Sequence, residues 1–99
     1  MLRTDLHPEA RKEYQDALRW YRQRGRELAL RFADEFEAAV QRITQAPQRW
    51  PVGDILTRRV LLHGFPFVIH YRYHEARSYV WIVAVAHTSR DPAYWHKRQ

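Results

Sequence analysis

Residues 79–95 read YVWIVAVAHTSRDPAYW, and this stretch decides the fold. Its first half is an apolar run of about eight residues, rich in β-branched and aromatic side chains, which favours a strand over a helix. Both alternating faces of the run are apolar, so we expect residues 79–86 to form a central strand that is covered on both sides. Basic, polar and aromatic residues follow without a linker, and polar groups at the end of a rigid strand are well placed for a functional surface.

Two amphipathic helices precede this strand. The first opens at Pro8, whose fixed φ suits the first helical turn, and ends at Gly25, where we expect a left-handed residue. Pro47 ends the second. Apolar residues recur at helical spacing in both segments: Ala10, Tyr14, Ala17, Leu18 and Tyr21, then Leu28, Phe32, Phe36, Ala39, Val40 and Ile43. The short turn between the helices predicts an antiparallel αα-hairpin, whose apolar stripes must be covered by the strands.

Three further strands are predicted outside the helices. Residues 2–6 alternate in polarity and permit a brief strand. After a loop rich in proline and glycine, residues 58–62 and 65–74 form strands on either side of a tight turn. With residues 79–86 they make an antiparallel meander of three strands. The order β-α-α-β-β-β predicts an α+β fold, in which a helical hairpin packs on a small antiparallel sheet.

Length and composition limit the class of protein. The 99 residues predict one domain over the whole chain, and the absence of cysteine excludes disulfides and Cys-ligated zinc. The formal net charge of +6 suits an anionic partner such as nucleic acid or an acidic protein. The N-terminus has no apolar signal-peptide core, and no run reaches the roughly 18–20 apolar residues of a membrane span. We therefore expect a soluble, intracellular protein that does not contact a membrane.

The six histidines do not predict a metal site. His70 and His74 lie four residues apart on a predicted strand, which is too far for a compact chelate. Neither a cysteine nor a cluster of carboxylates completes a ligand set. We expect no metal and no cofactor.

The polar residues after the last strand allow two interpretations. His87 and Tyr94 could perform acid/base chemistry while Arg90 stabilises a phosphorane, a set that would cleave RNA through its 2′-hydroxyl. Alternatively, His87 simply ends the strand, and Tyr94 and Trp95 pack as a C-terminal lid. The residue types alone favour the second interpretation.

Basic residues fall into two groups. Those of the helical hairpin are typical of a solvated helix face. A second group lies on the sheet half and the tail, interleaved with aromatic residues, and is the better candidate for binding an acidic protein or a nucleic acid. It comprises Arg58, Arg59, Arg72, Arg90, Lys97 and Arg98, with Tyr73, Tyr94 and Trp95 among them.

Five segments, in this order, resemble the RelE/ParE superfamily of toxins from bacterial type II toxin–antitoxin operons. They are HPEA (7–10), ALRWY (17–21), LALRFADEFEAAVQRI (28–43), RRVLLHGFPFVIHYRY (58–73) and VAVAHTSRDPAYWHKR (83–98). The most specific pieces are Phe65-Pro66-Phe67 leading to Tyr71-Arg72 in the fourth segment, and residues 84–95 in the fifth. The resemblance implies a helical hairpin against a small antiparallel sheet, in agreement with the pattern of residues.

The resemblance implies two alternative activities. RelE-like members cut mRNA in the ribosomal A site with a basic set on the sheet and often a C-terminal tyrosine. On that basis the catalytic residues would be Arg59, His87, Arg90 and Tyr94. Three cations of that set are replaced, by Leu61, Val68 and Thr88. ParE-like members lack the set and poison DNA gyrase, so the resemblance favours a gyrase inhibitor, with a ribosome-dependent mRNA interferase as the alternative.

The resemblance also implies partners. A cognate antitoxin would lay an extended and helical segment, acidic and apolar, over the toxin in the cytoplasm, and the +6 charge fits such a segment. An open sheet edge suits strand addition, while operator DNA would be contacted only indirectly, through the antitoxin. The residues predicted to bind the antitoxin or the target are Arg58, Arg72, Tyr73 and Trp95.

Overall fold

A computed structural model describes residues 2–91 and 93–99, so Pro92 of the fifth segment lies outside the described residues. The helices and strands are β1 (Arg3–Leu6), α1 (Pro8–Arg24), α2 (Arg26–Gln45), β2 (Arg58–Leu61), β3 (Phe67–His74) and β4 (Tyr79–His87). This order confirms the predicted α+β fold with two helices packed on one sheet. None of the helices in the described residues is long and apolar enough to cross a membrane.

The sheet is mixed, which corrects the prediction of a purely antiparallel one. Its strand order is β1-β4-β3-β2, with β4–β3 and β3–β2 antiparallel. β1 instead pairs in parallel with β4, and Leu6 lies opposite Ile82. The alternation of residues in a four-residue strand carries no information on direction, and no hairpin turn joins β1 to its neighbour.

The helical hairpin matches the predicted stripes. Gly25 joins the helices with φ 155° and ψ 134°, a positive-φ extended conformation rather than the expected left-handed helical one, and one that glycine adopts without strain. Tyr14 of α1 packs against Phe36 of α2 with ring centroids 4.3 Å apart, and Tyr21 lies 5.0 Å from Phe32. Antiparallel helices place these pairs at successive levels of the core.

β4 is covered on both sides, as its sequence predicts. Val80 and Ile82 are buried in the main core beneath the helices. On the other face, Val83 and Ala84 form a small second cluster with Trp95 of the C-terminal segment, residues 93–99. The strand can be apolar on both faces because the helices cover one face and this C-terminal segment covers the other.

A β-bulge at Val83 changes which side chains face the helices. His70 of β3 pairs with Ala84, but the next residue, Tyr71, pairs with Ile82, so Val83 has no opposite residue. Two consecutive residues, Val83 and Ala84, therefore share the face toward the C-terminal segment. Before the bulge, even-numbered residues such as Ile82 face the helices. After it, odd-numbered residues such as Val85 do, which places His87 beside Phe67 on the helix side.

Candidate functional site

A polar cluster occupies the free edge of β4, beyond the short strand β1. The Val85 N–H donates a hydrogen bond to Oε1 of Glu13 in α1 at 3.0 Å. The Arg98 guanidinium donates to the Val83 carbonyl at 3.2 Å. Buried backbone polar groups require partners, and here two side chains take the place of a neighbouring strand. The cluster thus fixes both α1 and the C-terminal segment to β4.

Glu13 is the centre of this cluster. Arg98 donates to both carboxylate oxygens of Glu13, each at 2.9 Å, in a bidentate ion pair. The Tyr94 hydroxyl donates to Oε2 at 2.6 Å, and a guanidinium nitrogen of Arg90 lies 3.6 Å from the same oxygen. Arg90 also stacks on the Tyr94 ring, 3.6 Å from its centroid. One carboxylate therefore holds three side chains of the segment that follows β4.

The ionisation of Glu13 and Tyr94 follows from these contacts. Burial alone would raise the pKa of Glu13, but hydrogen bonds from Arg98, Tyr94 and the Val85 amide outweigh it, and the pKa lies below its usual value. Burial raises the pKa of the Tyr94 hydroxyl, and the bond to Glu13 raises it further. Tyr94 is therefore a protonated donor at neutral pH, with its proton directed at a carboxylate.

His87 ends β4 and has a defined tautomer. The backbone N–H of Ser89 donates to Nδ1 of His87 at 3.0 Å, and the Ser89 hydroxyl lies 2.7 Å from the same nitrogen. Because a backbone N–H can only donate, Nδ1 is the acceptor and the neutral ring carries its proton on Nε2. In this tautomer the ring can donate a hydrogen bond from Nε2.

A cleft of about 410 Å³ opens between α1 and the ends of β3 and β4. Its floor is apolar. Its rim carries the negative charges of Glu13 and Asp16, the positive charge of Arg90 and the half-exposed indole of Trp20. Arg24 stacks on that indole, 3.4 Å from the ring centroid, and limits its movement. The lining residues are Glu13, Asp16, Ala17, Trp20, Tyr21, Pro66, Phe67, Val85, His87 and Arg90.

Arg59 lies apart from the other residues of the predicted catalytic set. It pairs with His70 across β2 and β3, and His70 faces the C-terminal segment. His87 pairs with Phe67, which precedes His70 by three residues on β3, and contacts it on the helix side. Strand spacings place the Arg59 and His87 backbones about 14 Å apart. Since their side chains also leave opposite faces of the sheet, one phosphate cannot contact both.

A model of a known protein family matches most of the chain. The family described as ParE toxin of type II toxin-antitoxin system, parDE, matches residues 5–92. The chain belongs to the ParE toxin family. A search of curated proteins finds no match. The matched residues include both helices, the strands β2 to β4 and Glu13, whereas Tyr94, Trp95 and Arg98 lie beyond them.

Two of the residues predicted to bind a partner of this ParE-family toxin serve as internal anchors. Arg58 donates to the backbone carbonyls of Gln48 and Trp50. Arg72 donates to the Ile55 carbonyl at 3.1 Å and to the Arg98 carbonyl at 3.3 Å. Both arginines therefore hold the loop before β2, and Arg72 also holds the C-terminal segment.

The two aromatic residues predicted to bind a partner also pack internally. Tyr73 packs against the main core and is partly buried. Trp95 is only 2% exposed and covers the sheet face opposite the helices. The binding of a partner by Tyr73 and Trp95 stays a prediction.

His70 lies directly beneath Trp95. Their ring centroids are 4.4 Å apart, and His70 is almost completely buried. Burial, together with the positive charge of Arg59, lowers the pKa of His70 to about 4, whereas Glu13 opposes the shift. His70 is thus a neutral part of the interface between the sheet and the C-terminal segment.

This histidine should make the ParE-family toxin sensitive to mild acid. The unfolded chain binds a proton at His70 below pH 6.5, whereas the folded chain does so only near pH 4. The free energy of unfolding should therefore fall by about 3 kcal/mol between pH 6.5 and pH 4, as measured by urea unfolding at several pH values. His70→Gln should abolish most of the loss between pH 6.5 and pH 4. It should retain the further loss below pH 4.5, where the unfolded chain binds protons at Glu13 and Glu35 more readily than the folded chain, in which the pKa of both groups is lowered. An unchanged slope in this variant would contradict the assignment.

Sequence reasoning missed Glu13 and the role of Arg98. Glu13 lies three residues after Ala10 and four before Ala17, within the apolar stripe of α1, and a carboxylate at such a position signals a buried partner. Its partner Arg98 is 85 residues away along the chain, so no local pattern connects the two. Within residues 2–91 and 93–99, no group of three or more metal-binding side chains could hold a metal ion.

Proposed function

We propose that this ParE-family toxin arrests growth by binding and poisoning DNA gyrase, without hydrolytic chemistry of its own, and that a cognate antitoxin neutralises it. The observation that carries this proposal is the hydrogen bond from Tyr94 to Glu13 at 2.6 Å. A tyrosine whose proton is directed at a largely buried carboxylate, and whose pKa is raised, is poorly suited to proton transfer in RNA cleavage.

The positions of the missing cations support binding rather than cleavage. Val68 is buried in the sheet, Leu61 is an exposed apolar residue on β2, and Thr88 follows β4. Cleavage of RNA through its 2′-hydroxyl develops charge on a phosphorane, which positively charged groups must stabilise. With Arg59 on the opposite face from His87, the remaining cations do not converge on one phosphate.

An in vitro supercoiling assay with purified gyrase and toxin tests the proposal. Wild-type toxin should block supercoiling, and Tyr94→Phe, which keeps the ring but lacks the hydroxyl, should block it as well at a temperature where both are folded. Undisturbed supercoiling at a large excess of folded toxin would overturn the proposal.

The second candidate function is ribosome-dependent cleavage of mRNA. It is favoured by the cleft, in which His87 and Arg90 line the same wall beside an exposed indole that could stack on a base. Primer extension on translated mRNA after induction should then show A-site cuts, which Tyr94→Phe should abolish. Cuts that require Tyr94, together with normal supercoiling, would replace the first function with this one.

A further inference from the structure

A second cavity, of about 400 Å³, lies on the helical hairpin and is lined by residues of α1 and α2 alone. They are Leu18 and Arg22 of α1, and Arg26, Ala29, Leu30 and Ala33 of α2. The four from α2 have the spacing i, i+3, i+4, i+7, which on a helix surface forms the hole that receives one side chain of a facing helix. Two of the four are alanine, so the hole has room for a large apolar side chain.

Leu30 supplies such a side chain at the rim of the same hole. It is 53% exposed, whereas Ala29 beside it is only 5% exposed. A second copy of α2, packed antiparallel about a two-fold axis, would insert its Leu30 into this hole and receive the first Leu30 in its own. Interfaces of this kind are self-complementary, because one patch meets itself.

The charges on either side of Leu30 have the same symmetry. Arg26 lies four residues before Leu30 and Asp34 four residues after it, so all three share one exposed stripe of α2. In an antiparallel pair centred on Leu30, Arg26 of each copy faces Asp34 of the other, which gives two ion pairs. In the part of the chain that the structure describes, the intramolecular ion pairs include neither Arg26 nor Asp34.

The distribution of charge favours a second copy over a uniformly acidic segment. Exposed cations, Arg22 and Arg26, lie at one end of the stripe, and exposed carboxylates, Asp34 and Glu37, lie at the other. An acidic segment would be repelled at the carboxylate end, whereas an antiparallel copy presents the opposite sign at both ends. The net charge of +6 opposes association at longer range, but physiological salt screens that repulsion.

We infer that this toxin forms a two-fold symmetric dimer through α2, with Leu30 of each copy in the Arg26–Ala33 hole of the other and Arg26 paired with Asp34 across the axis. One helix from each copy makes a small interface, so the dissociation constant should be in the micromolar range. The inference does not depend on the proposed function, and it holds for either target of the toxin.

The dimer would leave the cleft beside Trp20 open. Trp20 precedes Arg22 by two residues, which places the two side chains about 160° apart around α1. The interface and the cleft therefore lie on different sides of the hairpin. A dimer would present two clefts at a fixed separation, and a target with two equivalent sites would bind it more tightly than it binds a monomer.

Sedimentation equilibrium of the full-length toxin, at about 0.15 M salt, measures the association. Wild-type toxin should pass from monomer to dimer as its concentration rises through the micromolar range. Leu30→Ser should weaken the dimer at least about tenfold, because two buried leucines are lost. Leu61→Ser, at a leucine of β2 that is 52% exposed, is the matched control and should leave association unchanged.

Ala33→Leu distinguishes a specific fit from non-specific hydrophobic association. The substitution adds apolar surface but fills the hole, so it should weaken the dimer at least about tenfold. Non-specific association would instead become stronger. Circular dichroism of each variant establishes that it is folded before association is measured.

A charge exchange tests the antiparallel arrangement. Arg26→Asp and Asp34→Arg should each weaken the dimer at least about tenfold, because like charges then meet at both contacts. An equimolar mixture of the two variants should associate again, since opposite charges face each other at both contacts of the mixed dimer. The double variant should likewise form a dimer by itself.

Three results would overturn the inference. They are a toxin that stays monomeric up to about 1 mM, a dimer that survives Leu30→Ser, and a mixture of the two charge variants that does not associate. If the toxin is monomeric and Leu30→Ser instead weakens binding of the antitoxin, this face of the hairpin belongs to the antitoxin.

Discussion

Replacement of Glu13 by alanine should lower the free energy of unfolding by about 4 kcal/mol. The change leaves the Arg98 guanidinium, the Tyr94 hydroxyl and the Val85 N–H without the acceptor they share. The Arg98 side chain is only 17% exposed, so water cannot readily replace the carboxylate. Removal of one partner of a buried ion pair costs more free energy of unfolding than the intact pair contributes, because a buried charge is left without its partner.

Urea unfolding measures this loss, and Asp16→Asn provides the control. Asp16 lies one turn later on α1 and forms an ion pair with Arg19, but its side chain is 55% exposed. Its replacement should change the free energy of unfolding by no more than about 0.5 kcal/mol. If Glu13→Ala were no more damaging than this control, the cluster would not fix the C-terminal segment to β4.

Glu13→Gln separates charge from packing. The amide keeps the shape and can still accept from Val85 or Tyr94, but it cannot neutralise Arg98. We expect its stability to lie between those of the wild type and Glu13→Ala. The wild type should also lose stability as the pH falls through the lowered pKa of Glu13, below 4.5, whereas Glu13→Gln should lose less in that range.

The periodicity of the sequence was sufficient to predict the helices and the central strand. The spacing of Ala10, Ala17, Phe32 and Phe36 depends on nearest neighbours along the helix, and these residues are buried as predicted. The apolar run of β4 likewise predicted cover on two sides, which the helices and Trp95 supply. Local patterns report which side chains are buried, and they do so well where the element is long.

The direction of β1 and the bulge at Val83 were not predictable in this way. Both depend on pairing between segments that are far apart in the chain. The same limit applies to the internal contacts of Arg58 and Arg72, whose guanidinium groups bind backbone carbonyls of the loop before β2 and of the C-terminal segment. Their binding to a partner stays a prediction. A charged residue on a strand has the same sequence signal whether its partner is external or internal.

Trp95→Ala should cost about 4 kcal/mol of the free energy of unfolding. The indole is 2% exposed and covers Val83, Ala84 and the ring of His70, so its removal leaves a cavity and admits water to the outer face of the sheet. Trp20→Ala is the matched control. That indole is 49% exposed on the rim of the cleft, and its loss should cost no more than about 1 kcal/mol.

A second readout identifies the cause of the Trp95 effect. Since burial is the main reason that the pKa of His70 lies near 4, exposure of the ring in Trp95→Ala should return its pKa toward 6.5, as measured by NMR titration. The loss of free energy of unfolding between pH 6.5 and pH 4 should then become smaller in the same variant, whereas Trp20→Ala should retain it. A destabilised Trp95→Ala toxin with an unchanged His70 pKa would show that the C-terminal segment still covers the sheet. In that case Glu13 and Arg98, rather than the indole, would hold the segment in place.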